Sequence, residues 1–159
     1  MKKITKTKDT GLGIAGVLTI SKFKDGKKIW QSGPIKNRVV SSDGYGRNLI
    51  MRQLAGDTLY PLEIDSASVG DDNTAPVDGN TGLGNSLVAG ISITNSITVD
   101  DVLDIDVFAS DATLPDDTYQ EFGLFCGARF FSRVIISPAY TKAAGEDTLF
   151  TYQLTLNSA

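Results

Sequence analysis

The sequence predicts a mainly β protein, an antiparallel β-sandwich of about seven to nine strands with one short α-helix. Three observations lead there. Several stretches of the second half alternate apolar and polar residues with a period of two, the signature of half-buried antiparallel strands. Thr, Ser, Val, Ile and Gly are plentiful, which suits strands and turns. Only one segment combines a helical apolar face with start and stop signals. At 159 residues the chain is one domain by size.

Taken in order, residues 1–10 are polar and basic, with little to bury, and read as a flexible arm. Residues 11–159 read as a single sandwich domain, whose first part, 11–34, forms an attachment hairpin. Ile14 to Phe23 is rich in β-branched residues, and Asp25-Gly26 then marks a hairpin turn before Ile29 and Trp30. Ile35–Val40 is a further short strand. Gly44–Ala55 is the helix: Ser42 or Asp43 caps it, Leu49, Ile50 and Leu54 give the apolar face, and Gly56 ends it. Leu62, Ile64 and Ser66 then alternate with Glu63, Asp65 and Ala67. A turn-rich loop, Gly70–Asn85, precedes a strand whose Ile91, Ile93, Ile97 and Val99 share one face. Leu103, Ile105 and Val107 oppose Asp104 and Asp106. Tyr119–Cys126 and Arg129–Ile136 are apolar enough to lie centrally in a sheet. Phe150, Tyr152, Leu154 and Leu156 alternate with polar neighbours in the last strand.

The charges are sharply divided. Between Gln53 and Ala128 there is no Lys or Arg but fourteen Asp and Glu, whereas residues 1–52 carry twelve of the fifteen basic residues. A net charge of −4 therefore hides a basic third and an acidic middle, which bears on partners and assembly rather than on fold. Docking residues are expected among Lys2, Lys3, Lys6, Lys8, Lys22 and Lys24. A pI near 4.7 and the lack of interleaved aromatics before Phe23 argue against specific nucleic-acid binding. No run approaches the roughly 20 apolar residues of a membrane span. Lys2-Lys3 before Gly11–Ile20 imitates a signal peptide, but Asp9 interrupts it and Ser21-Lys22-Phe23-Lys24 offers no small-residue cleavage site.

Catalytic inventory is thin, and neither an enzyme nor a cofactor is expected. His is absent, which removes Ser–His and Cys–His activation and imidazole metal ligation. The one cysteine, Cys126, has no adjacent base and reads as a buried structural thiol. Gly11-x-Gly13-x-x-Gly16 matches a dinucleotide fingerprint by letters, yet a strand-like Val17–Ile20 follows where a helix is required. Asp71, Asp72 and Asp78 are weak Ca²⁺ candidates in an oxygen-rich loop whose spacing departs from the EF-hand. Asp104 and Asp106 read as the wet face of a strand rather than a glycosidase pair. Glu121 stands out, because nearly everything near it is apolar. If it faces inward it needs Arg47, Arg129, Arg133 or backbone amides as partners; the alternative is an edge position in water.

Several segments, in order, resemble a pattern of tailed-bacteriophage virion proteins: small fibre, collar, tail-adaptor and head-decoration components. They are Lys36-Asn37-Arg38-Val39-Val40; Gly44 to Leu54 with Gly56; Ile64 to Pro76, similar to an I-x-x-I-A-x-G-x-G-x-T-A-P turn; Leu83; and Glu121-Phe122-Gly123-Leu124-Phe125, similar to an E-x-G-L-F strand. Arg133, Lys142 and the terminal strand Thr148–Leu156 complete the order. Asp72-Asn73 stands where the pattern has glycine, and Asp78-Gly79-Asn80-Thr81 varies the turn before Leu83. The resemblance covers residues 35–157. It implies a non-enzymatic subunit of the virion that contacts capsid, neck or tail proteins as a homo-oligomer, a trimer being one option, through many repeated contacts. It also implies scaffold roles for Asn37, Gly44, Gly70, Pro76, Glu121 and Gly123. The rival reading is a glycan-binding module using Trp30, Tyr45, Tyr60, Tyr119 or Tyr140.

Overall fold

A computed structural model describes residues 12–158. The strands are β1 (Leu12–Lys24), β2 (Lys27–Gln31), β3 (Ile35–Val39), β4 (Ser41–Ser42), β5 (Tyr45–Gly46), β6 (Ser66–Gly70), β7 (Ser86–Ser92), β8 (Asn95–Val99), β9 (Val102–Ala109), β10 (Thr118–Cys126), β11 (Arg129–Thr141) and β12 (Glu146–Ser158). A single helix among the described residues, α1 (Arg47–Leu54), lies between β5 and β6. The expected arm, residues 1–10 with Lys2, Lys3, Lys6 and Lys8, lies outside the described residues.

Ten strands form one antiparallel sheet in the order β7-β6-β10-β11-β3-β1-β12-β9-β8, with β2 added beside β1. The halves on either side of the β3–β1 junction are joined by only two residue pairs, Val17–Lys36 and Leu18–Ile35. So narrow a hinge lets the sheet curl into a half-barrel and lay its halves face to face. Phe122 of β10 and Phe150 of β12 meet across the interior with ring centroids 5.0 Å apart. Leu18, Ile20, Val107, Leu124, Val134 and Tyr152 are fully buried around them. A core side chain of this kind contributes about 1.5–3 kcal/mol. The mainly antiparallel β class with one short helix is as expected, and the two packed layers of the sandwich come from one curled, half-barrel sheet of ten strands, slightly more than the seven to nine read from the sequence.

The extra strand count arises where one strand was expected over residues 91–99. The chain breaks at Ile93-Thr94 and passes from one end of the sheet to the other. The Ile93 amide donates to the Asp65 carbonyl at 3.4 Å and the Thr94 amide to the Asp106 carbonyl at 2.8 Å, tying the two ends together. Ile91 is buried on β7, whereas Ile97 and Val99 are exposed on the edge strand β8. Alternation alone could not register that break, because both halves keep the same period.

β1 pairs with β12 over all thirteen residues, so the β1–β2 hairpin is built into the sheet through its first strand. Its second strand, β2, is exposed throughout, beyond a turn in which Asp25 and Gly26 both have positive φ, 49° and 73°. That conformation matches the twist of a two-residue hairpin. The helix begins later than expected. Ser42 and Asp43 belong to the small β4–β5 hairpin, and α1 starts after Gly46 without a side-chain cap. Leu49 is buried, but Leu54 is exposed. Its stop is as read: Gly56, at φ 78°, donates to the Gln53 carbonyl and Asp57 to the Arg52 carbonyl, a Schellman ending. The strand read from Leu62 begins only at Ser66; Leu62 and Ile64 pack against the core edge outside the ladder.

Candidate functional site

β10 and β11 lie centrally and are covered on both faces, which accounts for their continuous apolar pattern. One face of β10 supplies Phe122, Leu124 and Cys126 to the core. The other carries Glu121, Gly123 and Phe125, and the loop 71–85 folds over it. A Cβ on Gly123 would lie 2.5 Å from Phe130 and 2.9 Å from Leu83, so Leu83 and the Phe130 ring seat directly on its backbone.

Glu121 is fully buried. Its neighbour on the next strand is Arg133, also buried, which sits opposite Gly123 and therefore diagonal to Glu121. Arg133 donates through Nε to Glu121 Oε2 at 2.9 Å, and its Nη2 forms an ion pair with the same oxygen at 2.8 Å. The same oxygen accepts the Gly84 amide at 2.9 Å, while Oε1 accepts the Asn85 amide at 2.8 Å and the Asp72 amide at 3.4 Å. Four hydrogen bonds and an ion pair thus converge on one carboxylate, the condition under which a buried charge is tolerated. Arg133 extends the network to Asp72 Oδ2 at 3.2 Å, and Asp72 in turn holds the Thr74 amide and hydroxyl. Gly70 is buried where a Cβ would strike the Asn85 carbonyl and reach within 2.5 Å of Glu121 Oε1.

The Ca²⁺ candidates are spoken for separately. Asp71 accepts from the Asn85 side chain at 2.6 Å, Asp72 faces Arg133, and Asp78 bridges Arg38 (2.9 Å) and Arg47 (3.1 Å). No cluster of metal-ligating side chains occurs among the described residues. The basic third and the acidic loop therefore meet inside one chain, and the Ser41 amide bonding to the Asp78 carbonyl at 3.0 Å extends the seam. The other scaffold positions fall around this loop and the nearby sheet. Pro76 is half-buried within the loop, Gly44 is buried beside the Arg129 guanidinium, and Asn37 Nδ2 donates to the buried Tyr152 hydroxyl.

Lys22 is not a free docking residue. Its ammonium donates to the Thr141 carbonyl at 2.7 Å and pairs with Glu146 at 3.1 Å, above the Tyr140 ring. Lys24 is exposed at the hairpin end. The aromatics proposed for sugars are mostly occupied: Tyr119 and Tyr140 are buried, and Arg129 lies over both Tyr45 and Tyr60. Trp30 alone is largely exposed, stacked at 5.7 Å on Tyr140. Gly13 and Gly16 lie within β1, so no helix follows them to receive a phosphate. Asp104 and Asp106 accept hydrogen bonds from Gln153 and Thr151, their partners on β12. Cys126 is buried, and burial, with Asp65 and Glu63 nearby, pushes its thiol up to about 12, away from reactivity.

Two features were not legible beforehand. Lys142 is buried, with its ammonium held by Asp111, by Asp116 at 2.8 Å and by the Ala143 carbonyl. Burial pulls its pKa down, but the two carboxylates outweigh that and raise it. The second is an apolar cleft of about 430 Å³ at the open end of the half-barrel, walled by Ile14, Ile64, Leu103, Leu154 and Leu156 and bordered by Glu63, Asp100 and Asp101. Leu156 and the Asp100-Asp101 turn were visible as residues, but only the curl of the sheet brings them together. No protein family, curated protein or solved structure matches the chain. No helix among the described residues is long and apolar enough to cross a membrane.

Replacing Glu121 by Gln leaves the Arg133 charge buried and turns an amide donor on donors, so unfolding free energy should fall by about 3–5 kcal/mol. Arg133→Met should cost a similar amount, and the double variant clearly less than the sum, as measured by chemical denaturation; additive losses would contradict the coupling.

Acid should loosen the structure in a defined window. Asp57, Asp72, Asp78 and Asp111 are held below the ordinary 3.8, chiefly by Arg52, the Thr74 amide, Arg38 and Lys142 respectively. Burial pushes Glu146 up, but the Ala143 amide and Lys22 hold it below 4.5. A depressed folded pKa stabilises above the unfolded value and loses that contribution as pH falls. Denaturation midpoints should therefore decline from about pH 4.5 downward; midpoints that stay level or rise between pH 5 and pH 3 would contradict these assignments.

Proposed function

We propose that this chain is a non-enzymatic structural subunit of a tailed-bacteriophage particle, a capsid decoration, collar or tail-fibre attachment protein that assembles by repeated protein–protein contacts. One observation carries the reading. The segments that resemble the virion pattern, Ile64 to Pro76, Leu83, Glu121 to Phe125 and Arg133, are far apart in sequence but meet around Glu121, with Asp72 and Arg133 on its carboxylate and Leu83 on the neighbouring Gly123. What they build is a loop clamp in which Arg133 faces both Glu121 and Asp72 and backbone amides meet the rest of the Glu121 carboxylate, an arrangement suited to hold a shape for a partner. The partners would be capsid, neck or tail proteins and further copies of the chain. The contacts would add up by repetition, so that weak individual affinities suffice.

The test is made on intact particles. Virions purified on a density gradient should contain the chain in multiple copies by quantitative mass spectrometry. Particle imaging should place it at a symmetric position on head, collar or tail. Recovery of the chain solely from the particle-free fraction would overturn the reading.

A further inference from the structure

The cleft at the open end of the half-barrel has an apolar floor, three exposed carboxylates at its border, and no Lys or Arg among its lining residues. An occupant that suits it is a segment with an apolar side chain flanked by cations. Such a segment exists in this chain. Residues 1–11, Met-Lys-Lys-Ile-Thr-Lys-Thr-Lys-Asp-Thr-Gly, place Ile4 between Lys3 and Lys6 and carry four lysines against Asp9.

Position supports the match. β1 runs from Ile14 on the cleft wall inward to Leu18 and Ile20 in the core, so its first residues lie at the cleft end of the sheet. Ile14 pairs with Leu156, whose amide donates to the Asp101 carbonyl at 2.9 Å. Ile14 is therefore only two strand spacings, roughly 10 Å, from the acidic turn, and the described chain begins two residues before it. At this end of the sheet β1 points away from the core, so a segment continuing its line would leave the cleft of its own chain open to that of another copy. An eleven-residue segment can extend to about 36–40 Å, enough to cross to a facing molecule.

We propose that the cleft receives residues 1–11 of a second copy of this chain. Ile4 enters among Leu103, Leu154 and Leu156, and the flanking lysines meet Glu63, Asp100 and Asp101. The inference deepens the assembly reading above by naming one of its contacts. It is tested on purified protein, so its failure would leave incorporation into particles untouched.

The experiment uses the full chain, a form lacking residues 1–11, and a rim variant, Glu63→Gln/Asp100→Asn/Asp101→Asn, with circular dichroism and thermal melts to establish that each folds. Light scattering after size exclusion at low salt should show self-association of the full chain, and monomers for each altered form alone. Mixing the two altered forms should restore association, since one retains the cleft and the other the arm. A peptide of residues 1–11 should bind the shortened form. Its affinity should fall about tenfold on neutralising the rim or raising salt, and about ten- to hundredfold when Ile4 is Ala. Absence of peptide binding would overturn the proposal, and so would self-association that survives loss of residues 1–11. A full chain that stays monomeric while the peptide binds the shortened form would overturn it too, by showing that the arm serves its own cleft.

Discussion

A single carboxylate buried beneath a loop constrains much of this fold. Once Glu121 is taken out of water, every lone pair it presents must be met, and the donors must come from somewhere. Arg133 supplies charge from the next strand. Asp72, Gly84 and Asn85 supply amides from both ends of the loop 71–85. The loop is long and contains little to bury, so its own contacts would not define one shape. Binding its two ends to one anion does, and Leu83 is thereby pressed onto Gly123 and Phe130. A buried ion pair is weak evidence for net stability compared with an apolar core, but it specifies register and loop position.

The division of charge takes on a different meaning in three dimensions. Part of the basic third is spent internally: Arg38 and Arg47 on Asp78, Arg52 on Asp43 and Asp57, and Lys22 on Glu146. Exposed pairs of this sort stabilise only slightly each, yet together they align the β3–α1 region with the acidic loop. Glu63, Asp100 and Asp101 lie together around an apolar opening, and the basic residues at the start of the sequence are of the complementary charge.

Much of the strand pattern could be read from the residues. The alternation of Leu103, Ile105 and Val107 against Asp104 and Asp106 survives in β9, and that of Phe150, Tyr152 and Leu154 in β12, because each has one wet face. The Asp25-Gly26 turn and the Gly56 helix stop were legible because their chemistry is local. Long-range arrangements were not. Ile91 and Ile97 have the same sequence environment but sit at opposite ends of the sheet. Leu54 satisfies helical spacing, yet α1 is short and presents mainly Leu49 inward. For the clamp, the oddity of Glu121 pointed to an anion needing partners, and Arg133 was among three arginines that could serve; the amides of Gly84 and Asn85 could not be anticipated, since backbone donors carry no mark in a sequence. Burial of Lys142 was invisible for the same reason: Asp111 and Asp116 come to it only through the fold.

The claim that Glu121 holds the loop is tested most directly by amide hydrogen exchange resolved at single residues. Gly84 and Asn85 should exchange only as slowly as the central amides of β10 and β11 in the unaltered protein. In Glu121→Gln, under conditions where the sheet is still protected, those two amides should exchange much faster while β10 and β11 change far less. Rapid exchange at Gly84 and Asn85 in the unaltered protein, comparable to exposed turns such as Asp25-Gly26, would contradict the account.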